Sequence, residues 1–433
     1  MSRKEAPELT IVLLIAAVQF VNILDFVIVM PLGPDFARAL AIPASKLGQI
    51  AGAYTAAAGV AGLLGSLFLD RFDRRKALFV AILGLVSGTA LCGFSDHLAL
   101  APPLQALAGT ADLPPALVAL LAGRVVAGLF GGPATSLAFS VIADTVPVER
   151  RGRATGMVMG AFSIAAVFGV PAGLELARVG GWRLPFFAIA GLGLVVGLSA
   201  VFLLPPMTGH LAQAGARSTT VVADLLRRPM VWLSYGTTAT VMMAGFILIP
   251  NLSAYLQGNL GYPRARLGLL YAAGGVMSLV VTQTGGWLVD RFGAARMGLL
   301  GTLLFAVVCA AGLATVPPLL PVLAVFMLFM SALGLRNVSY NTLVSRVPMP
   351  FERARFMSFQ SAVQHFASAT AAILSARMLS EKDGALIGFA TVAKTSIALS
   401  LVVAALLFLL ERAVLLRDGR EARAVVQAPA AAS

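Results

Sequence analysis

Cysteine is nearly absent from the chain: Cys92 and Cys309 are the only two, each inside a hydrophobic stretch. That excludes a disulfide framework and a thiolate metal site, and small core-filling roles account for both. Three histidines without metal-ligand spacing exclude a histidine metal centre. No HExxH, P-loop or GxSxG pattern occurs, and Gly93-Phe-Ser-Asp-His97 lacks the closing glycine of a nucleophile elbow. No enzyme chemistry, cofactor or metal is therefore expected, and without a nucleotide site any work must draw on a gradient. Charge is also scarce, at 12% of residues against 59% hydrophobic, where a soluble chain carries roughly 25% charge. This composition is that of a membrane protein. The net charge of +13 does not imply nucleic acid as a partner, because the basic residues sit in short loops between apolar runs rather than on a folded basic face.

About 20 apolar residues cross a bilayer as a helix, and that ruler predicts twelve spans. They cover 9–32, 46–69, 76–95, 116–143, 154–175, 184–204, 229–255, 266–288, 296–316, 320–345, 355–379 and 385–411. The first run is too long for a signal-peptide core and is followed by no small-residue cleavage site, so it is expected to remain as the first spanning helix. The organisation is six plus six: 1–204, a linker at 205–228, 229–416, and a tail at 417–433 that is expected to be disordered. With the first loop outside, and basic residues at span ends counted with the adjoining loop, the inner loops and tails hold 21 Lys and Arg, the outer loops 8, and Arg124, Arg336 and Lys394 fall within spans. The positive-inside rule then places both termini in the cytoplasm, and the chain is expected in the cell's inner (cytoplasmic) membrane. Between the third and fourth spans, Ser95–Pro115 is long, and its proline pairs at 102–103 and 114–115 argue against one continuous helix. It is read as an insertion or a small outer flap.

A charged turn occurs twice. LDRFDRRKAL (Leu69–Leu78) follows the second span, and VDRFGAARMG (Val289–Gly298) follows the eighth. Both copies resemble the Gly-x-Leu-x-Asp-Arg-x-Gly-Arg-Arg/Lys loop of the major facilitator superfamily. The first copy has Ser66 and Asp73 at the two glycine positions; the second keeps Gly286, Leu288, Asp290, Arg291 and Gly293 but has Ala294 and Ala295 where basic residues belong. The resemblance implies an all-α fold of twelve transmembrane helices, in two six-helix bundles with inverted three-helix repeats and a midplane binding site. It also implies that these loops latch the halves together on the cytoplasmic side. Asp70, at the dipole-disfavoured C-terminal end of its own helix, needs an outside partner; the start of the eleventh helix at Arg353 and Arg355 offers one. Asp290 would face the start of the fifth near Arg151 and Arg153. The bland alternative is that Arg71, Arg74, Arg75, Arg291 and their neighbours only set topology.

Further motifs narrow the resemblance to the arabinose-efflux and drug:proton antiporter branch. Arg124 followed by Gly128 resembles the helix-4 pattern of the superfamily. Gly169-Val-Pro-Ala-Gly173 is similar to that branch's Gly-Pro helix-5 motif, interrupted by Val170. Pro171 is expected to bend the helix, while Gly160, Gly169 and Gly173 let a neighbour approach. Gly181-Trp-Arg183 with Phe186 fits the same branch.

In the first span, Gln19, Asn22 and Asp25 recur every three residues and fall on one side of a helix. Because a lipid-facing side would not carry three polar groups, that side is expected to line the cavity. Arg336, Asn337, Tyr340 and Asn341, with Gln360, Gln364 and His365, make a second polar surface. Each is also compatible with an interhelical packing bond. His365 titrates near neutrality in water and is either a proton carrier or a satisfied core residue. Lys394 is near enough to a span end to snorkel and is assigned nothing.

Asp25 lies six residues before Pro31 and Arg124 eight after Ala116, or about 9 and 12 Å from the same face at 1.5 Å per residue. Asp25 is also the carboxylate farthest from any loop, since Asp70, Asp144, Glu175, Asp290 and Glu411 stand at span ends. Two readings stay open: Arg124 moves and switches Asp25 between proton loading and release, or the two form a fixed ion pair. The reading is a secondary transporter, a monomer whose partners are protons, the bilayer and a small organic molecule, a drug-like amphiphile or a sugar. Proton-driven export is favoured over uptake symport or a transporter-like receptor.

Overall fold

The computed structural model describes residues 8–208, 224–349 and 352–427. Within them, eleven helices are long and apolar enough to cross a membrane. The first half contains α1 (Glu8–Ala39), α2 (Leu47–Phe68), α3 (Arg74–Gly93), α4 (Pro115–Thr145), α5 and α6 (Leu184–Leu203). Helix α5 is built of Val148–Ile164, a π-helical turn Ala165–Gly169, and Val170–Gly180. The second half contains α7 in two pieces, Pro229–Phe246 and Ile249–Gly258, then α8 (Leu267–Phe292), α9 (Ala294–Gly312), α10 (Val322–Ser345), α11 (Arg353–Met378) and α12 (Phe389–Gln427). Helix α11 completes the twelve. Its 26 residues suffice in length, but Arg353, Arg355, Gln360, Gln364, His365 and Arg377 make it too polar to face lipid. It packs instead against α2 and α7.

Small residues set the packing, since helices in lipid associate by close approach rather than by hydrophobic force. A methyl group added at Gly88 of α3 would lie 2.3 Å from the Ala127 amide of α4, and one at Gly128 of α4 would lie 2.3 Å from the Tyr54 carbonyl of α2. Exposed large hydrophobics run along α3, α6, α9 and α12, among them Leu83, Val195, Val307 and Leu401. These four helices present a large part of the lipid-facing surface.

Several elements depart from the sequence expectation. Helix α1 does not stop near Pro31; it runs through Pro31 and Pro34 to Ala39. Helix α7 is not continuous: Ile247 and Leu248 interrupt it just before Pro250, which cannot extend a helical ladder. The 95–115 segment forms two short helices, Ser95–Leu98 and Pro102–Ala111, with the first proline pair opening the second. Arg183 pairs with Asp96 and ties this flap to α6. The loop before the last expected span and the first residues of that span form a β-hairpin, β1 (Ser380–Lys382) and β2 (Ala385–Ile387), with Ser380 opposite Ile387. Its turn residues Asp383 and Gly384 both have positive φ, 51° and 76°, the signature of an Asp-Gly turn that the sequence offers. Helix α12 continues to Gln427, so the segment after Arg417 is helical where disorder was expected; residues 428–433 lie outside the described residues. Of the linker, 209–223 also lie outside them, while Met207 and Leu225 at its two ends are buried, each against its own half.

The two halves meet along two seams that are tight at one end only. Where α2 crosses α11, a methyl at Gly48 would lie 2.2 Å from the Ala372 carbonyl, and one at Gly59 would lie 3.1 Å from Cβ of His365. One at Gly62 would meet nothing within 4 Å. Where α5 crosses α8, a methyl at Gly275 would lie 3.0 Å from Ala166, while Gly160, Gly156 and Gly286 have open space. The halves are thus closed at the end holding the α1–α2 and α7–α8 loops, the far end, and parted at the end holding the arginine-rich loops, the basic end.

Candidate functional site

The three polar residues of α1 do share one side of the helix, but that side turns into its own bundle and not into the space between the halves. Asn22 donates to the Gly131 carbonyl at 3.0 Å and to Thr135 Oγ1 at 2.7 Å, both on α4, and accepts from the Tyr54 hydroxyl on α2 at 2.9 Å. Gln19 is buried beside them, and its Oε1 has no partner among the described residues. The expectation that Gln19 and Asn22 line a cavity is corrected: buried amides on a membrane helix find partners on neighbouring helices. Half-buried Phe20, Ile23, Phe26 and Val27 occupy the other side of α1. Phe26 reaches across the interface and stacks on Phe246 of α7 at 6.0 Å.

Asp25 and Arg124 meet, as their depths predict. Both side chains are 0% exposed; Arg124 Nη1 donates to Oδ1 at 3.1 Å and to Oδ2 at 3.0 Å. Thr89 of α3 adds a hydroxyl donor to Oδ1 at 2.7 Å. The guanidinium lies over the Tyr54 ring, 4.4 Å from its centroid. Nε and Nη2 of Arg124 have no hydrogen-bond partner among the described residues. An ion pair removed from water survives only when each charge has close partners, and removing one partner strands the other.

Arg336 is not in a cavity either. It is 1% exposed, donates to Ser400 Oγ on α12 at 3.0 Å, and lies 4.6 Å over the Phe305 ring of α9. Tyr340 packs beside it in the core of the second bundle with Tyr235 and Met242. Gln360 is buried and donates to Thr238 of α7. Those three calls are corrected for the same reason as Gln19 and Asn22. Asn337 and Asn341 are exposed and bonded to each other through Asn341 Nδ2 and the Asn337 carbonyl at 2.9 Å. Gln364 and His365 are half-buried at the inner end of the tight α2–α11 seam.

At the basic end, Arg74 pairs with Asp144 of α4 at 2.7 Å and donates to the Ser140 carbonyl; Arg75 donates to the Leu204 carbonyl. These two hold α3 within its own bundle. Asp73, standing at a glycine position of the motif, caps α3 by accepting from the Arg75 amide at 2.9 Å and also accepts from the Met207 amide. The second copy keeps Gly293 there because its φ is +91°. Asp290 and Arg291 are exposed, Arg291 stacking on Trp287 and Phe292. Arg71 and Arg353 are exposed and Arg355 half-buried; the Asp70 side chain lies outside the described residues. Asp290 makes no ion pair among the described residues, in keeping with an interface parted at this end.

Sequence reasoning missed the far-end closure. Arg264, before α8, binds Asp35 of α1 through Nε at 2.7 and 2.9 Å and also donates to the Leu174 carbonyl of α5. Ser253 on the second piece of α7 donates to the Pro31 carbonyl at 3.1 Å, and Glu381 of the hairpin accepts from the Ala44 amide. No local pattern marks these residues, because each partner lies 90 or more positions away. Gly169 and Gly173 admit Leu24 and Ile28 of α1, and Pro171 follows the π turn on the face toward Gly268 of α8.

Two bundles closed at one end and parted at the other, with an ion pair buried inside the first, define a membrane carrier. The chain belongs to the Major Facilitator Superfamily, whose profile matches residues 15–245 and 234–431. It is 26% identical over 271 residues to the chloramphenicol resistance protein of Streptomyces lividans (63% of this chain, 64% of that protein). It is 28% identical over 264 residues to the inner membrane transport protein YdhP of Escherichia coli (60% of this chain, 61% of that protein). The matches therefore span just under two thirds of both relatives. A D-xylose–proton symporter structure shares the fold with a TM-score of 0.73 at 18% identity, over 92% of this chain and 97% of that one.

Proposed function

We propose that this transporter exports a small, predominantly apolar organic molecule across the cytoplasmic membrane in exchange for protons, as a monomer with both termini in the cytoplasm. The observation that carries the reading is the fully buried Asp25–Arg124 pair. A carboxylate that can be neutralised by a proton at a site sealed from lipid and loops is the group a proton-driven carrier requires. Protonation of Asp25 removes the charge that holds Arg124, and how often it occurs depends on the pH of the side to which the site is open. With the arginine-rich loops in the cytoplasm, the structure is the inward-open state. The apolar side of α1, with Phe26 and Phe246 near the closed end, suits an amphiphile better than a polyol. The likeness to a chloramphenicol resistance protein supports the same substrate class.

In the outward-open state the basic end closes. Asp70 then meets the start of α11 near Arg353 and Arg355, and Asp290 meets the start of α5. Gly169, Pro171 and Gly173 shape the α5 surface that seals against α1 and α8. The exposed Asn337 and Asn341, with Gln364 and His365, supply the polar contacts of the substrate path.

Reconstituted protein tests the coupling. Asp25→Asn is expected to fold and to exchange a substrate found by ligand screening, without concentrating it when the vesicle lumen is made acidic. Retained pH-driven accumulation by that variant assigns the proton to another group and overturns the reading.

A further inference from the structure

Four groups stack in a line from the ion pair to the other half of the molecule. Arg124 lies over Tyr54 at 4.4 Å; Tyr54 stacks on Phe26 at 5.2 Å and 28°; Phe26 stacks on Phe246 at 6.0 Å and 26°. They come from α4, α2, α1 and α7, so the line crosses from one bundle to the other. Phe246 is the last residue of the first piece of α7, immediately before the interruption at Ile247 and Leu248. Beyond the interruption, the second piece belongs to the far-end seal: Ser253 bonds to the Pro31 carbonyl of α1 across the interface, while Asn251 bonds to Ser375 of α11 within its own half at 3.0 Å. The first piece is held by its own bundle, where Ser396 of α12 donates to the Ala244 carbonyl.

A broken helix with one piece anchored in its bundle and the other bonded across the interface is a hinge in form. The stack ends on it. Tyr54 is held at both edges, its ring under the guanidinium and its hydroxyl on Asn22, so its position depends on where Arg124 sits. Arg124 in turn is fixed by Asp25, since its remaining nitrogens Nε and Nη2 have no hydrogen-bond partner among the described residues. The titratable groups facing this cluster are Asp25 from α1, Arg124 from α4, Tyr54 from α2 and Cys92 from α3.

We propose that Tyr54, Phe26 and Phe246 form a positioning relay that transmits the state of the Asp25–Arg124 pair across the interface to the hinge of α7, so that protonation of Asp25 releases the far-end seal. The proposal rests on the coupling role given to Asp25 above. Neutral Asp25 no longer holds Arg124 over Tyr54, the ring stack loses its fixed end, and the second piece of α7 is free to leave α1.

Accessibility of Ser253→Cys to a membrane-impermeant maleimide applied from the far side reads the seal directly. The parent chain, whose two cysteines are buried, is labelled in parallel as background, and labelling is normalised to denatured protein at each pH. Acidic pH is expected to raise labelling by about tenfold, the change when a state populated at roughly 1–10% becomes the major one. Asp25→Asn should give the high level at both acidic and alkaline pH. Phe26→Leu, which keeps an apolar side chain but removes the ring, should abolish the pH response, return Asp25→Asn to the low level in the double variant, and be rescued by Phe26→Tyr. If Asp25→Asn leaves labelling unchanged, the coupling role fails and the relay with it. If Asp25→Asn behaves as stated but Phe26→Leu and Phe246→Leu keep the full pH response, the relay alone is overturned.

Discussion

Arg264 and Asp35, 229 positions apart in sequence, form a two-bond ion pair across the far end of the molecule, with Arg264 Nε 2.7 Å from one carboxylate oxygen and 2.9 Å from the other. Each half contributes one charge, and both side chains are mostly shielded, at 23% and 15% exposure. This pair exists only while the far end is closed. Removing it should shift the conformational balance without touching either bundle.

Arg264→Ala is expected to favour the outward-open state by about 1–2 kcal/mol, roughly 5–30-fold in population, the scale of a charge-assisted bond between partly shielded groups. Cysteine accessibility at the two ends, measured in the same variant, checks it. Unchanged accessibility at both would show that the glycine seams alone set the closed state.

Arg124→Ala leaves the Asp25 carboxylate buried with only the Thr89 hydroxyl as partner. A stranded buried charge costs about 3–5 kcal/mol, so the variant should unfold at markedly lower temperature in detergent. Adding Asp25→Asn to it should restore much of the loss, because the stranded charge is gone. A thermal melt in which the single and double variants are equally unstable would contradict this account.

The glycines along α2 make opposite predictions according to depth. A methyl at Gly48 would run into the Ala372 backbone, which cannot yield as a flexible side chain can, whereas one at Gly62 meets open space. Gly48→Ala should therefore part the far end and raise its solvent accessibility, and Gly62→Ala should leave it as it is. Equal behaviour of the two in a labelling assay would refute the wedge-shaped seam.

Pro171 stands two residues after the π turn of α5, beside the α8 contact. Pro171→Ala supplies an amide that the local ladder lacks and should straighten α5 against α1 and α8. Normal expression with a proton leak is the expected phenotype, read as dissipation of a pH gradient in proteoliposomes. Tight coupling in the variant would make the proline a packing feature.

The twelve-span plan, its six-plus-six division and the pairing of Asp25 with Arg124 were legible in the sequence for a common physical reason. A bilayer imposes one length on every span, and charges so far from any loop have few ways to be satisfied. The interruption of α7 and the β-hairpin were missed, although the residues with fixed backbone demands that mark them, Pro250 and Asp383-Gly384, were legible locally. Which side of a helix faces what was not. The every-third-residue spacing of Gln19, Asn22 and Asp25 put them on one face but carried no sign for its direction, and neighbours on α2, α3 and α4 claimed that face for hydrogen bonds. Arg336 and Tyr340 misled in the same way. The closed far end, the Asp35–Arg264 clamp and the stack from Arg124 to Phe246 depend on side chains brought together from distant spans, and a one-dimensional pattern holds no record of their distances. The sequence by itself determined the spans, their repeat and the presence of a buried charge pair; the tertiary structure decided which polar groups are consumed in packing and which surfaces remain for transport, because that choice is made by contacts between helices.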